Sequence, residues 1–156
     1  LSLGAKPALL LAVLDPEVAA CVWNDFASLW RMRMIVENMD CIALHQYVPD
    51  LLAWLDYPDL MASLAPRPLL ISEGGRGADL NLLRRADELA GAREALEVAY
   101  YPRYATPDMR PFDDLPLPEG LTSEEYFKYA NVDAPNHEFK PEVCVPWLAR
   151  TLRASE

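Results

Sequence analysis

Residues 2–14 read SLGAKPALLLAVL, and this stretch decides how the first part of the chain folds. From Gly4 onward its residues are apolar on nearly every side, which predicts a helix that is buried on most faces. Pro7 is acceptable only in the first turn of such a helix. Asp15-Pro16 then ends it, because the residue before a proline avoids the helical conformation.

Apolar runs farther along the chain alternate between strand and helix patterns. Continuous apolar runs predict buried strands at residues 18–23, 68–72 and 95–101. Proline, glycine and capping residues mark where helices begin and end. They predict helices at 58–64, from Asp79 to Gly91, at 122–130 and from Pro141 onward, with a short one around Met32 to Met39. Strands that alternate with helices favour an α/β fold with a parallel sheet.

Composition narrows the class of protein. The 156 residues are 52% apolar and 24% charged, which is typical of one globular domain. A net charge of −10 disfavours nucleic acid as a partner. No apolar run reaches the roughly 18–20 residues that cross a bilayer, so we expect no membrane partner and a cytoplasmic location, with export left open because the chain begins at Leu1 rather than Met.

The three cysteines predict neither a disulfide framework nor a metal site. They are odd in number, far apart and set among apolar residues: Cys21, Cys41 and Cys144. We expect buried thiols in a reducing compartment. No motif for a metal or for any other cofactor is present, so none is predicted.

Two side chains could carry nucleophilic chemistry. Ser2 occupies the serine of a partial G-x-S-x-G motif, in which a tight turn between strand and helix exposes the hydroxyl; alternatively, it caps the helix that follows. His137, in Ala-Pro-Asn-His-Glu-Phe, lies on a loop between the third strand and the last helix, where a general base is useful. The other histidine, His45, has no evident partner and is interpreted as a packed or surface residue.

A serine, then an acid after a strand, then a histidine is the chain order of the α/β-hydrolase triad. The chain resembles the C-terminal half of an α/β-hydrolase, and in particular bacterial hydrolases of the dienelactone hydrolase and acetyl xylan esterase type. The matching segments are SLG with its ALLL helix, DLMASLAPRPLLI at 59–71, NHEF at 136–139 and WL at 147–148. The resemblance implies one partial α/β-hydrolase domain over residues 1–156, with its N-terminal strands absent and a loop insertion at about 102–136.

The resemblance also implies roles for individual residues. Ser2 would be the nucleophile that forms an acyl-enzyme, His137 the general base, and the amide of Leu3 an oxyanion donor. The expected substrates are small carboxylic esters, for example acetylated sugars.

The triad acid has three candidates, because relatives place an aspartate where this chain has Gly77. Asp79 is the first choice, with helix capping as its alternative role. Glu73, at the end of the second strand, is the second choice and could instead be a loop charge. Asp25, after the first strand, is the third, with turn formation as its alternative.

The same residues lead to three further expectations. A missing acid would leave a catalytically impaired module used for binding, and a serine peptidase of the same fold is another alternative. The aromatic residues at 101–130 either shape a substrate pocket or pack on one another. The isolated chain should be inactive and should aggregate or form a homo-oligomer through an open sheet edge.

Overall fold

Three short parallel strands form the centre of the structure, a computed structural model that describes residues 1–36 and 49–153. They are β1 (Cys21–Trp23), β2 (Leu69–Ile71) and β3 (Leu96–Val98), in the order β1-β2-β3. Cys21 pairs with Leu69, which pairs in turn with Leu96. The predicted parallel α/β sheet is confirmed. Its strands are shorter than predicted because only three residues of each apolar run take part in the ladders.

Within residues 1–36 and 49–153, six helices accompany the strands: α1 (Ala5–Leu14), α2 (Trp30–Val36), α3 (Tyr57–Ala62), α4 (Gly77–Leu89), α5 (Ser123–Tyr129) and α6 (Pro141–Arg153). Capping boxes start two of them. The Asp56 carboxylate accepts the amide of Tyr57, while Asp59 accepts the amide of Asp56. Thr122 and Glu125 form the predicted box at α5. Each box satisfies backbone donors that the first turn of a helix leaves open.

The sheet is covered on both faces, because alternate residues of each strand point to opposite sides. Cys21, Trp23, Leu69 and Ile71 pack with apolar residues of α1, α3 and α4. On the other face, Leu70 packs against α6. Because all three strands run parallel, their carboxyl ends lie at one edge, here called the carboxyl edge of the sheet.

Helix α1 is less buried than its composition predicts. Only Ala5, Lys6, Leu9 and Ala12 are buried, whereas Leu14 is 79% exposed. The prediction that α1 is buried on most of its faces is therefore wrong in the described structure. Here α1 packs against β1 and α3, and its opposite side carries leucines that face outward.

The segment at residues 102–121 is a long connection with two short 3₁₀ turns, Pro102–Tyr104 and Pro107–Met109. Most of the aromatic residues in and around it pack on one another. Tyr101, Tyr104 and Tyr126 are buried in one cluster, and Phe112 stacks on Tyr129 with ring centroids 4.6 Å apart. These rings therefore pack on one another, and Phe112 and Tyr129 also line a cavity together with residues 118–121.

The cysteines that the structure describes are buried thiols. Cys21 and Cys144 are buried and free. Burial raises the pKa of the Cys21 thiol to about 11, which makes it a poor nucleophile. Met39, Cys41 and His45 lie outside the described residues.

Among the helices of residues 1–36 and 49–153, none is both long and apolar enough to cross a membrane.

Candidate active site

Polar side chains follow two of the strands at the carboxyl edge. Asn24 and Asp25 follow β1, and Ser72 and Glu73 follow β2. In open α/β sheets this edge is where ligands bind.

Ser2 sits in a turn of the kind that exposes a nucleophile. Its φ is +53°, a left-handed conformation that is uncommon for a residue with a side chain. It begins a 3₁₀ turn, Ser2–Gly4, that runs directly into α1. Backbone strain of this kind persists only where neighbouring structure holds it, and it concentrates at active sites. The N-cap of α1 is Gly4 without a side-chain cap bond, so the alternative role of Ser2 as the capping residue is wrong.

His137 and Glu73 form a close pair. The Nδ1 atom of His137 lies 2.5 Å from Oε2 of Glu73. Glu73 is fully buried, whereas 33% of the His137 side chain is exposed. The other oxygen of Glu73 accepts the amide of Glu138 at 3.2 Å and lies 3.4 Å from the ammonium of Lys140. A carboxylate bound to Nδ1 fixes the tautomer and leaves Nε2 to exchange protons.

Asn24 links the turn of Ser2 to the loop of His137. The amide of Ser2 donates to the carbonyl of Asn24 at 2.9 Å. The side-chain amide of Asn24 donates to the carbonyl of Glu138 at 3.4 Å. Asn24 thus contacts both the turn of Ser2 and the loop of His137, although 135 positions separate Ser2 from His137 in the sequence.

Asp79, the first choice for the acid, is not at His137. It lies in the first turn of α4 with its carboxylate 3.5 Å from the guanidinium of Arg76. Burial raises the pKa of Asp79 to about 6, and Arg76 opposes that rise. The N-cap of α4 is Arg76, so the capping role expected for Asp79 is also wrong. Glu73, the second choice, occupies the place beside the imidazole instead.

Gly77, where the resemblance led us to expect an aspartate, lies close to two carboxylate side chains of the 102–121 segment. A Cβ atom there would lie 3.0 Å from Oδ1 of Asp114 and 3.3 Å from Cγ of Asp113. Asp113 also accepts the amide of Gly77 at 3.1 Å. A side chain at position 77 would therefore require the carboxylates of Asp113 and Asp114 to shift.

Asp25, the third choice, is fully buried but engaged elsewhere. Its Oδ2 lies 2.8 Å from the ammonium of Lys6 and 2.9 Å from the guanidinium of Arg33. Burial would raise the pKa of this carboxyl, yet Arg33 and Lys6 together hold it below its usual range. Its charge is balanced by these two cations, and Oδ1 accepts the amide of Phe26.

The donor set of this cluster matches proton transfer better than metal binding. Asp25, Glu73 and His137 each offer one ligand atom, and these atoms lie within 4.8 Å of one another. Both carboxylates already pair with cations, namely Lys6, Arg33 and Lys140. A divalent ion would have to enter against these positive charges, which is unfavourable at a buried site.

Sequence reasoning missed Lys6, Asn24 and Lys140. One signal was available for Lys6, because it is the single charged residue in the apolar run at 4–14. A charge in such a run must find a partner when it is buried. The identity of that partner, 19 residues away, is set by the fold.

Comparisons with known proteins identify the family of the chain and support its fold class. The sequence profile of the abhydrolase family matches residues 1–150, and the chain therefore belongs to this family of α/β-hydrolases. The crystal structure of a provisionally assigned acetyl xylan esterase from Bacteroides fragilis superimposes with a TM-score of 0.87 at 37% identity. The match covers 96% of this chain and 40% of that one, so the chain spans less than half the length of this relative. Among curated proteins, none matches the chain.

Proposed function

We propose that this protein is a serine hydrolase that cleaves carboxylic esters, with Ser2 as nucleophile, His137 as general base and Glu73 as the acid. The observation that carries the proposal is the 2.5 Å contact between Glu73 and His137, at the edge where the strained turn of Ser2 is fixed. A nucleophile, a base and a group that orients the base are the three parts that such a reaction requires.

The proposed reaction uses these groups in sequence. The Nε2 atom of His137 takes the hydroxyl proton of Ser2 as Oγ attacks the acyl carbon. The carbonyl oxygen of the substrate becomes an oxyanion, and the amide of Leu3 donates to it. His137 then returns the proton to the departing alcohol, which leaves an ester of Ser2. Water, deprotonated by His137, releases the acid and restores Ser2. Throughout, the carboxylate of Glu73 accepts a hydrogen bond from the Nδ1–H of His137, remains ionised and stabilises the imidazolium.

Acetylated sugars are the substrates we propose first. The support is the Bacteroides fragilis relative described as an acetyl xylan esterase, which is 37% identical over nearly the whole of this chain. The alternative of an impaired binding module rested on the missing acid at Gly77. Glu73 beside His137 removes that reason, so catalysis is the better supported function.

A fluorophosphonate activity-based probe tests the nucleophile. We expect the whole protein to be labelled once, with the adduct on Ser2, because the probe reacts with serine activated by a neighbouring base. Peptide mapping by mass spectrometry locates the adduct. The Ser2→Ala variant is the control and should stay unlabelled. Unlabelled but folded parent protein, or an adduct on another serine, would refute the assignment.

The pH dependence of kcat/KM is a second expectation. The hydrogen bond with Glu73 raises the pKa of His137, and the charges of Glu73 and Asp25 add to this against the opposing effects of burial and Arg33. A general base must be neutral, so activity should fall as the pH drops through this raised pKa. We expect the acid limb to have its midpoint above about 6.5, the ordinary value for histidine.

Rates of p-nitrophenyl acetate hydrolysis between about pH 5 and pH 9 measure this limb for the free enzyme. Glu73→Gln should shift the residual profile to lower pH, because the partner that favours the imidazolium is gone. A midpoint below that of free histidine in the parent protein would contradict the pairing.

A further inference from the structure

Lys6 is a buried cation with two anchors. Its side chain is 7% exposed, and its ammonium lies 5.7 Å from the ring centroids of both Trp23 and Trp30. Nζ donates to Oδ2 of Asp25 at 2.8 Å and to the carbonyl oxygen of Ser2 at 3.3 Å. A buried ammonium is costly unless such partners satisfy it. The second of these bonds ends on the nucleophile's own peptide group.

The carbonyl of Ser2 and the amide of Leu3 belong to one planar unit. Resonance makes the peptide group rigid, so a donor fixed on its oxygen also fixes the direction of its N–H. A cation on that oxygen draws electron density toward it, which makes the N–H a stronger donor through hydrogen-bond cooperativity. The Leu3 amide is the oxyanion donor of the proposed function. Lys6 thus acts on the donor from the opposite end of the same group.

Asp25 keeps Lys6 in this position. Asp25 is fully buried, and its Oδ1 accepts the amide of Phe26 at 2.9 Å, so the carboxylate cannot follow a moving side chain. Arg33 pairs with Oδ2, the oxygen that also binds Lys6, from α2 at 2.9 Å. The ammonium of Lys6 is therefore held between a fixed carboxylate after β1 and the carbonyl of the turn.

We propose that Lys6 is a positioning residue for the oxyanion hole, which orients and polarises the Ser2–Leu3 peptide. This inference rests on the proposed function, because it assigns a role only if the Leu3 amide meets an oxyanion. It also gives the buried Asp25 a role of its own, since Asp25 anchors Lys6 and is not the partner of His137. In this role Lys6 acts through the Ser2–Leu3 peptide group, to whose carbonyl oxygen it donates.

The test compares Lys6→Met with Arg33→Met in the whole protein. Methionine keeps much of the length and volume of lysine but neither bonds nor polarises the carbonyl. We expect Lys6→Met to lower kcat by about 10-fold to 100-fold with little change in KM, below the roughly 10²–10³-fold loss that removing an entire oxyanion donor causes. Arg33→Met removes the other cation from Asp25 but leaves the bond from Lys6 to the Ser2 carbonyl in place, so we expect kcat to change by no more than about threefold at the plateau of the pH profile.

A trifluoromethyl ketone supplies a readout that a merely structural role would not change. Such a ketone adds the serine oxygen and forms an oxyanion, so its inhibition constant should rise in Lys6→Met by about the same factor as kcat falls. Equal losses in Lys6→Met and Arg33→Met would overturn the inference, because the effect would then belong to the charge balance of Asp25. An unchanged kcat in Lys6→Met would overturn it as well.

Folding is controlled with a second variant. If Lys6→Met leaves Asp25 without enough positive charge to fold, Lys6→Met with Asp25→Asn removes both charges together and should show the same loss of kcat and of ketone affinity. Near-UV circular dichroism verifies the packed core. Failure of the proposed function has a different signature, since the parent protein would then hydrolyse esters no faster than Ser2→Ala.

Discussion

We expect the substitution Glu73→Gln to lower kcat for ester hydrolysis by about 10⁴-fold, the loss seen when a triad carboxylate becomes an amide. Glu73 touches the imidazole of His137 at 2.5 Å and is fully buried. An amide of the same shape no longer stabilises the imidazolium and no longer enforces the tautomer with a proton on Nδ1. Steady-state rates with p-nitrophenyl acetate give kcat and KM separately, and KM should change little.

Asp79→Asn is the matched control for this variant. Asp79 is also a buried carboxylate that follows β2, but it lies in α4 and pairs with Arg76, the N-cap residue of that helix. We expect kcat within about threefold of the parent, because the change lies in a separate ion pair. A large loss in Asp79→Asn with full activity in Glu73→Gln would return the role of the acid to Asp79.

Replacing His137 with alanine should have a still larger effect. Removal of the histidine in a serine protease triad lowers kcat by about 10⁶-fold, because neither attack nor departure of the leaving group is then assisted. We expect a loss of similar order here. The rate of labelling of Ser2 by the fluorophosphonate probe should fall with it, since the same base activates the hydroxyl. Fixed-time assays of p-nitrophenyl acetate hydrolysis over several hours detect the small residual rate of this variant.

His45→Ala is the control for this experiment, because His45 is the other histidine of the chain and has no partner predicted from its sequence context. It should keep the activity of the parent. Removal of the imidazole leaves Oε2 of the buried Glu73 without this partner, so we expect a lower melting temperature, and near-UV circular dichroism at the assay temperature verifies that the variant is folded. Activity in His137→Ala near that of the parent would exclude a mechanism based on this imidazole.

The fold was largely predictable because its signals are local. Pro68 to Ser72 is an apolar run bounded by proline and polar residues, and β2 lies within it. Thr122 and Glu125 form the capping box that their spacing predicts, since the box depends on only four neighbouring residues. The exposure of Leu11 and Leu14 on α1 was not predictable in the same way, because apolar composition does not say which faces of a helix are covered.

The pairing of His137 with Glu73 rather than with Asp79, the first choice, could not be predicted from the sequence. Choosing between Glu73 and Asp79 depends on where the chain turns after β2. It turns immediately, at Gly74 and Gly75, whose φ angles are +76° and +151°. A Cβ at Gly75 would lie 2.9 Å from the backbone oxygen of Ala27, so this tight contact demands glycine. Such contacts between distant segments leave no pattern along the sequence.

The connection at 102–121 also determines where the protein can be re-engineered. Oδ1 of Asp113 receives the amide of Gly77 and the side-chain amide of Asn131, and Asn131 in turn donates to the carbonyl of Gly75. A truncation that includes Asp113 would release the start of α4. Gly120 is exposed with open space around it, so we expect a peptide tag or a fused domain to be tolerated there.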